Sequence, residues 1–258
     1  MVLGQVPRGT SFMTRIIAVS NQKGGVGKTT SVINLAAFCA LAGRKTLVVD
    51  NDPQANASSV LAPEITSGSI YRGMKPVAVE GEPGLWVIPS SASLIDDERE
   101  LTRQPQGRYA LSAALEPYRG QFDLIFLDCP PNLTLLPTNA LLAADDLLLP
   151  LPCEYFAMEG LGQLLAYVED LRITAGSKIQ LAGILLTLFD RDNPRSFEVD
   201  ADLREHFGEL VFSTRIPRDR RLAAAPSHAR SILTYDPLSP GSIAYASATK
   251  EFLRVLNR

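Results

Sequence analysis

Cysteine is scarce in this 258-residue chain. Its three residues, Cys39, Cys129 and Cys153, lie far apart. That excludes a disulfide framework or a cysteine-rich metal site, and it fits a reducing, cytoplasmic compartment. Histidine is scarcer. His206 and His228 have no clustered partners at ligand spacing, so they read as surface or capping residues and not as metal ligands. No apolar run reaches the roughly 18–20 residues that a spanning helix needs. The apolar stretch 141–151 is broken by Asp145, Asp146 and Pro150. Residues 1–12 carry Gly, Pro and Arg without an apolar core, which excludes a secretory signal. The net charge is only −3, so any nucleic-acid contact must come from a local patch. Internal repeats and low-complexity linkers are absent.

What is present is ordinary globular composition: 46% hydrophobic and 21% charged residues, with 18 Gly and 18 Pro. One α/β domain with a full core is the simplest arrangement at this length. Residues 14–258 are expected to form that single domain. Residues 1–13 read as a disordered extension, a cloning remnant or the product of an upstream start. Short apolar runs at 15–19, 46–49, 85–88, 124–127, 147–151 and 181–186 alternate with helical stretches at 30–41, 159–173 and 243–256. Runs apolar on both faces are strands buried on both sides, so the pattern predicts a doubly wound, mostly parallel sheet with helices on both faces. Residues 53–83 are rich in Ser, Gly and Pro and read as surface loop and short helix. Trp86 falls in a short strand and reads as core.

Three strand ends carry chemistry. The first is Lys23-Gly24-Gly25-Val26-Gly27-Lys28-Thr29-Thr30, between a strand and a helix. Glycines let backbone N–H groups wrap a phosphate, and a helix beginning near Thr29 adds its positive end. Lys28 supplies a cation for the β and γ phosphates and Thr29 a hydroxyl for Mg²⁺. The strict phosphate-loop pattern has Gly where this chain has Gln22, so the loop is a variant with an additional lysine, Lys23. The second is Asp50-Asn51-Asp52-Pro53-Gln54-Ala55-Asn56, whose two carboxylates leave a strand beside that loop. One can serve the metal shell and the other can orient water. The third is the apolar run 124–127 ending in Asp128-Cys129-Pro130-Pro131, where Asp128 would hold Mg²⁺ through a water. Cys129 reads as a packing residue.

These motifs resemble the ParA/MinD family of deviant Walker A ATPases, and the match runs from residue 14 to the end. It includes Glu154-Tyr155 with Ala157, Glu159 and Gly160; Gly183-Ile184-Leu185-Leu186-Thr187; Ile216-Pro217-Arg218 with Arg221-Leu222; Ala225-Pro226-Ser227-His228; and Tyr235-Asp236-Pro237 with Gly241. It is closest to the small, Soj-like chromosomal type, without the N-terminal helix-turn-helix of the large plasmid type. Residues 62–81 match nothing in the family. The resemblance implies a P-loop NTPase-like fold, ATP and Mg²⁺ as cofactors, and phosphoryl transfer to water. It implies that Lys23 reaches across an ATP-dependent homodimer. Residues 50–56 would form switch I, where Asp52 would position the attacking water with Asp50 in support, Asn132 to Ala140 would form a moving switch II, and backbone near Pro217 and Arg218 would contact adenine. It further implies non-specific binding to nucleoid DNA, a ParB-like partner or cargo adaptor that stimulates hydrolysis, and a cargo that is a chromosome, a plasmid or a protein compartment. Arg215, Arg218, Arg220 and Arg221 form a basic run that could serve DNA or be a solvated face. One family DNA-contact arginine aligns with Asp192, with Arg191 and Arg195 beside it as substitutes. A MinD-like membrane-bound regulator is the alternative reading. It needs a basic amphipathic helix past the domain, and residues 250–258 read as the last packed helix. An iron–sulfur ATPase would need a second cysteine paired with Cys129.

Overall fold

The structure, a computed structural model, describes residues 13–154 and 157–257. The expectation for residues 1–12 lies outside them, as do Tyr155 and Phe156 of the Glu154–Gly160 motif. The strands are β1 (Arg15–Val19), β2 (Thr46–Asp50), β3 (Val77–Ala78), β4 (Leu85–Ile88), β5 (Leu124–Asp128), β6 (Asp146–Pro152), β7 (Gln180–Phe189) and β8 (Val211–Pro217). They form one sheet in the order β3-β4-β2-β5-β1-β6-β7-β8. Every pairing is parallel except β3 with β4. β2, β5 and β6 are buried at every position, as a sheet covered on both faces requires.

The helices are α1 (Lys28–Leu41), α2 (Asn56–Leu61), α3 (Leu94–Thr102), α4 (Ala110–Leu115), α5 (Leu135–Ala143), α6 (Ala157–Ala175), α7 (Pro194–Phe207), α8 (Arg220–Ala224), α9 (Ile232–Tyr235) and α10 (Pro240–Leu256). Side chains alternate across a strand, and the core divides accordingly. Ile16, Ala18, Leu47 and Val49 pack on the layer that holds α4–α7. Ile17, Val19 and Val48 pack on α1, α2 and α8–α10. From β1 the chain moves outward to β2 and β4, returns to β5 at the side of β1, then continues to β6 on the other side. Ligands bind at the carboxyl ends of strands where the order reverses in this way.

The sequence reading placed the central strands within a residue or so. It missed β8, because this edge strand buries only Val211, Phe212 and Ile216 and leaves Ser213 and Arg215 exposed. It also placed no helix at α3, α4, α5, α8 or α9, each of nine residues or fewer, nor at α7, whose buried positions are few, and it missed the two-residue β3. Helix α1 begins at Lys28, two residues earlier than the pattern suggested, since Gly27 supplies its N-terminal boundary. Residues 53–83 are mainly loop, as expected, but also carry a short 3₁₀ turn, Ile70–Arg72. Trp86 is half-buried, with its ring edge-on to Phe122 at 5.5 Å and under Lys45 Nζ at 5.2 Å. Among the described residues no helix is long and apolar enough to cross a membrane.

Candidate functional site

The site assembles where β1, β2 and β5 end together. Asp50 lies opposite Asp128 in the register of β2 and β5, and Val19 lies opposite Asp128 in that of β1 and β5. Val48 and Phe126, two residues earlier, face α1. Asp50 and Asp128 therefore face the same side, toward the loop that leads into α1.

That loop bends because Gly25 and Gly27 hold φ of +72 and +85, values that side chains strongly disfavour. The turn aims successive N–H groups inward, as an anion cradle needs. Gly27 is the boundary residue of α1 and offers no side-chain cap, so the first N–H groups of the helix remain available to an anion. The Lys28 ammonium folds back and donates to the Lys23 carbonyl at 3.0 Å. Burial lowers the Lys28 pKa, and the nearby Asp128, Cys129 and Asp52 oppose that shift. The Thr187 hydroxyl, at the end of β7, donates to the Val26 carbonyl at 2.8 Å and fixes the loop from the far side.

The carboxylates differ in environment. Asp50 is fully engaged: its oxygens accept from Ser58 N (2.8 Å), Ser58 Oγ (2.6 Å) and Asp52 N (3.1 Å). Burial raises its pKa while these hydrogen bonds favour its charged form. Asp52 accepts from Gln54 N through Oδ1 at 2.8 Å, and its carbonyl accepts from Ser90 Oγ at 2.8 Å. Asp128 is fully buried, and neither of its oxygens has a hydrogen-bond partner of good geometry. The Thr29 hydroxyl is near enough to favour its charged form but does not close such a bond. Burial, then the neighbouring Asp50, push the Asp128 pKa well above the usual carboxylate range. Buried polar atoms are rarely left unpartnered, so this carboxylate is arranged for something that arrives. No group of three or more His, Cys, Asp or Glu among the described residues could hold a metal ion by itself. A cation beside Asp128 would draw its other ligands from the Thr29 hydroxyl, phosphate oxygens and water, which suits Mg²⁺.

A cleft of about 670 Å³ opens over this arrangement. Its walls bring together the predicted Gly24, Gly25, Gly27, Lys28, Thr29, Thr30, Asp52, Pro217, Arg218 and Arg220. Leu222, Ala223 and Tyr245 complete its apolar end. Asp50 and Asp128 lie beneath the cleft, and Val26 is packed under the loop. Lys23 projects outward, half-exposed, to Glu154 at 2.8 Å.

The arginines separate into two groups. Arg215 is bound to the buried Asp200, and its guanidinium lies 5.1 Å over the Phe189 ring. Arg221 pairs with Asp236 at 2.9 Å, and Arg218 approaches Glu154 at 4.0 Å. Arg191, Arg195 and Arg220 form no side-chain ion pair among the described residues. Asp219, which interrupts the basic run, accepts from Arg221 N and Gly241 N. Sequence reasoning assigned no role to Ser58, Thr187 or Tyr245. Ser58 and Thr187 act through backbone and carboxylate contacts across the fold, which no local spacing reveals.

A family model described as an AAA domain matches residues 14–181. The chromosome partitioning protein ParA of Caulobacter vibrioides is 41% identical over 250 residues, covering 93% of this chain and 94% of the relative. The chain belongs to the ParA/Soj family of chromosome-partitioning ATPases. The chromosome-partitioning ATPase Soj of Thermus thermophilus is also 41% identical, with 93% and 95% coverage. Among solved structures, cobyrinic acid a,c-diamide synthase from Mycobacterium smegmatis with bound ADP and magnesium is 32% identical. It superposes with a TM-score of 0.80, over 95% of this chain and 96% of that one. The ParA/Soj assignment accounts for the variant phosphate loop, the paired strand-end carboxylates and the eight-stranded sheet together.

Proposed function

We propose that this chain is a Mg²⁺-dependent ATPase that dimerises with ATP, binds nucleoid DNA without sequence preference and releases it after hydrolysis stimulated by a ParB-like partner or cargo adaptor. The observation that carries the reading is Asp128, a buried carboxylate without a hydrogen-bond partner of good geometry, set behind a phosphate loop whose cleft is shared with Asp52. The solved relative with ADP and magnesium supports the same ligands here.

Each residue has a defined task. The N–H groups of Gly24 to Thr30 hold the phosphates, and Lys28 neutralises charge on the β and γ groups. Thr29 and Asp128 would hold Mg²⁺, the carboxylate through a water, and Asp50 steadies the segment that carries Asp52. Bound there, Mg²⁺ offsets negative charge on the transferring phosphoryl group. Asp52 keeps Oδ1 on the Gln54 N–H, leaving its other oxygen to orient the attacking water. The products are ADP and inorganic phosphate. Pro217, Arg218, Leu222 and Ala223 form the end of the cleft suited to an apolar base.

Lys23 is the residue for a second subunit. It stands at the rim and is held by an exposed glutamate, a contact that contributes little in water and is easily exchanged for a partner's phosphates. Arg220, Arg191 and Arg195 are the cations left for DNA phosphates, with Arg218 close by. Light scattering on the Asp52→Ala variant tests the dimer: a doubled mass with ATP and a single mass with ADP support it. A single mass with ATP at all concentrations would remove the dimer, and a doubled mass in a Lys23→Ala, Asp52→Ala double variant would remove Lys23 from the contact between subunits.

A further inference from the structure

One residue between the two switch I carboxylates has no part in the account above. Asn51 is fully buried, and by alternation its side chain points away from Asp50, to the face occupied by α5. Its Nδ2 donates to the Leu136 carbonyl in the first turn of α5 at 2.9 Å. A carbonyl only accepts, so this bond fixes the amide orientation and leaves Oδ1 on the other side. There it accepts from the Tyr71 hydroxyl at 2.9 Å. Burial pushes the Tyr71 pKa up, so the hydroxyl keeps its proton and stays a donor.

Tyr71 comes from residues 62–81, the segment without family resemblance. Its turn is pinned by Asp97 on α3, whose two oxygens accept from Ser69 Oγ and Arg72 Nε. The next residue on α3, Glu98, accepts from Leu135 N at 3.0 Å and Leu136 N at 3.3 Å. It caps the start of α5, where Thr134 gives no side-chain cap. The hydrogen bonds therefore close a circuit: switch I to Tyr71, Tyr71 to α3 through Asp97, α3 to α5 through Glu98, and α5 back to switch I through Asn51. Asn51 N also donates to the Asp128 main-chain carbonyl at 3.0 Å, so the circuit is tied to the end of β5.

We propose that Asn51 and Tyr71 are positioning residues for hydrolysis, strapping the Asp52 segment to the start of α5 so that switch I and switch II move as one body. This rests on the ATPase reading for its catalytic consequence, but the strap itself is a property of the fold. Neither side chain lines the cleft. Breaking the strap therefore leaves ATP affinity within about twofold while lowering turnover roughly tenfold, inside the range that small misplacements of reacting groups produce.

The test compares Tyr71→Phe, Asn51→Leu and the double variant with the wild-type protein. Hydrogen exchange without nucleotide reads the strap directly. The expected result is faster exchange in Tyr71→Phe across residues 51–55 and 135–139 together, in a variant that remains folded at the assay temperature although Asn51 Oδ1 has lost its donor. Faster exchange confined to residues 69–73 would overturn the proposal. ATP turnover and ATP binding read the consequence: reduced kcat at unchanged Kd, and a double variant no slower than the slower single one, as expected for residues acting through one bond. Additive losses, or unchanged turnover in Tyr71→Phe beside an active wild-type protein, would also overturn it. A wild-type protein that neither binds nor hydrolyses ATP would instead remove the ATPase reading, and the exchange result would still decide the strap.

Discussion

Replacing Asp128 by asparagine should stabilise the nucleotide-free protein while abolishing its response to Mg²⁺ and ATP. The carboxylate is fully buried without a hydrogen-bond partner of good geometry. Burial and Asp50 penalise its charge more than the Lys28 ammonium compensates, since Lys28 is the smallest of its influences. Asparagine has the same shape and no charge. Its amide is left as unpartnered as the carboxyl was, so the gain is the charge penalty alone, on the order of 1–3 kcal/mol, and a domain of this size shifts by roughly 2–4 °C per kcal/mol. The nucleotide-free variant should therefore melt roughly 2–12 °C above wild type. The pH dependence follows from the sign of the shift. A carboxyl whose pKa is raised in the folded state binds more protons there than in the unfolded chain, so wild-type stability falls as pH rises above about 4, the unfolded value. The variant's advantage should be greatest near neutrality and shrink toward acid. With Mg²⁺ and ATP at about a thousand times Kd, wild type gains about 4.1 kcal/mol and the order reverses. Thermal unfolding over a pH series, with and without Mg-ATP, measures all three effects. A nucleotide-free variant that melts below wild type at pH 7 would refute the claim that Asp128 is an unrequited charge awaiting a cation.

Three further outcomes are expected. Lys28→Ala should weaken ATP binding by about a hundredfold or more in calorimetry, because it removes a buried cation facing the phosphates. Retained tight binding would undo the phosphate-loop assignment. Asp52→Ala should lower ATP turnover by about 10²–10⁴-fold, the usual contribution of a positioned acid–base group, with ATP affinity nearly unchanged. Wild-type turnover would remove Asp52 from the chemistry. Arg220→Ala should reduce the salt slope of DNA binding by about one. Arg215→Ala should leave that slope unchanged and lower the melting temperature, because it removes one of the two arginines, Arg204 and Arg215, that pair with the buried carboxylate of Asp200. Equal slopes in the two variants would contradict this division of the arginines.

The central sheet was legible because β1, β2 and β5 are apolar at nearly every position and end in residues that do not continue the run. The phosphate loop was legible because its requirements are local: glycines at positive φ, a lysine and a hydroxyl in a row. β8 was not, since an edge strand alternates and half of its side chains face solvent. The roles of the arginines were illegible for another reason. Arg215 and Arg220 look alike in the chain, and only the fold reveals that Asp200, on α7, claims the first. Asn51 is the same case in reverse. The local pattern assigns it no role between the two carboxylates, and its partners Tyr71 and Leu136 lie 20 and 85 residues away.

The measurement that bears most directly on the central claim is binding to non-specific duplex DNA with ATP, with ADP and without nucleotide, over a salt series. The account predicts tight binding with ATP alone, falling steeply as salt rises because phosphate contacts release counterions. ATP binding without DNA binding in any state would contradict the nucleoid mechanism.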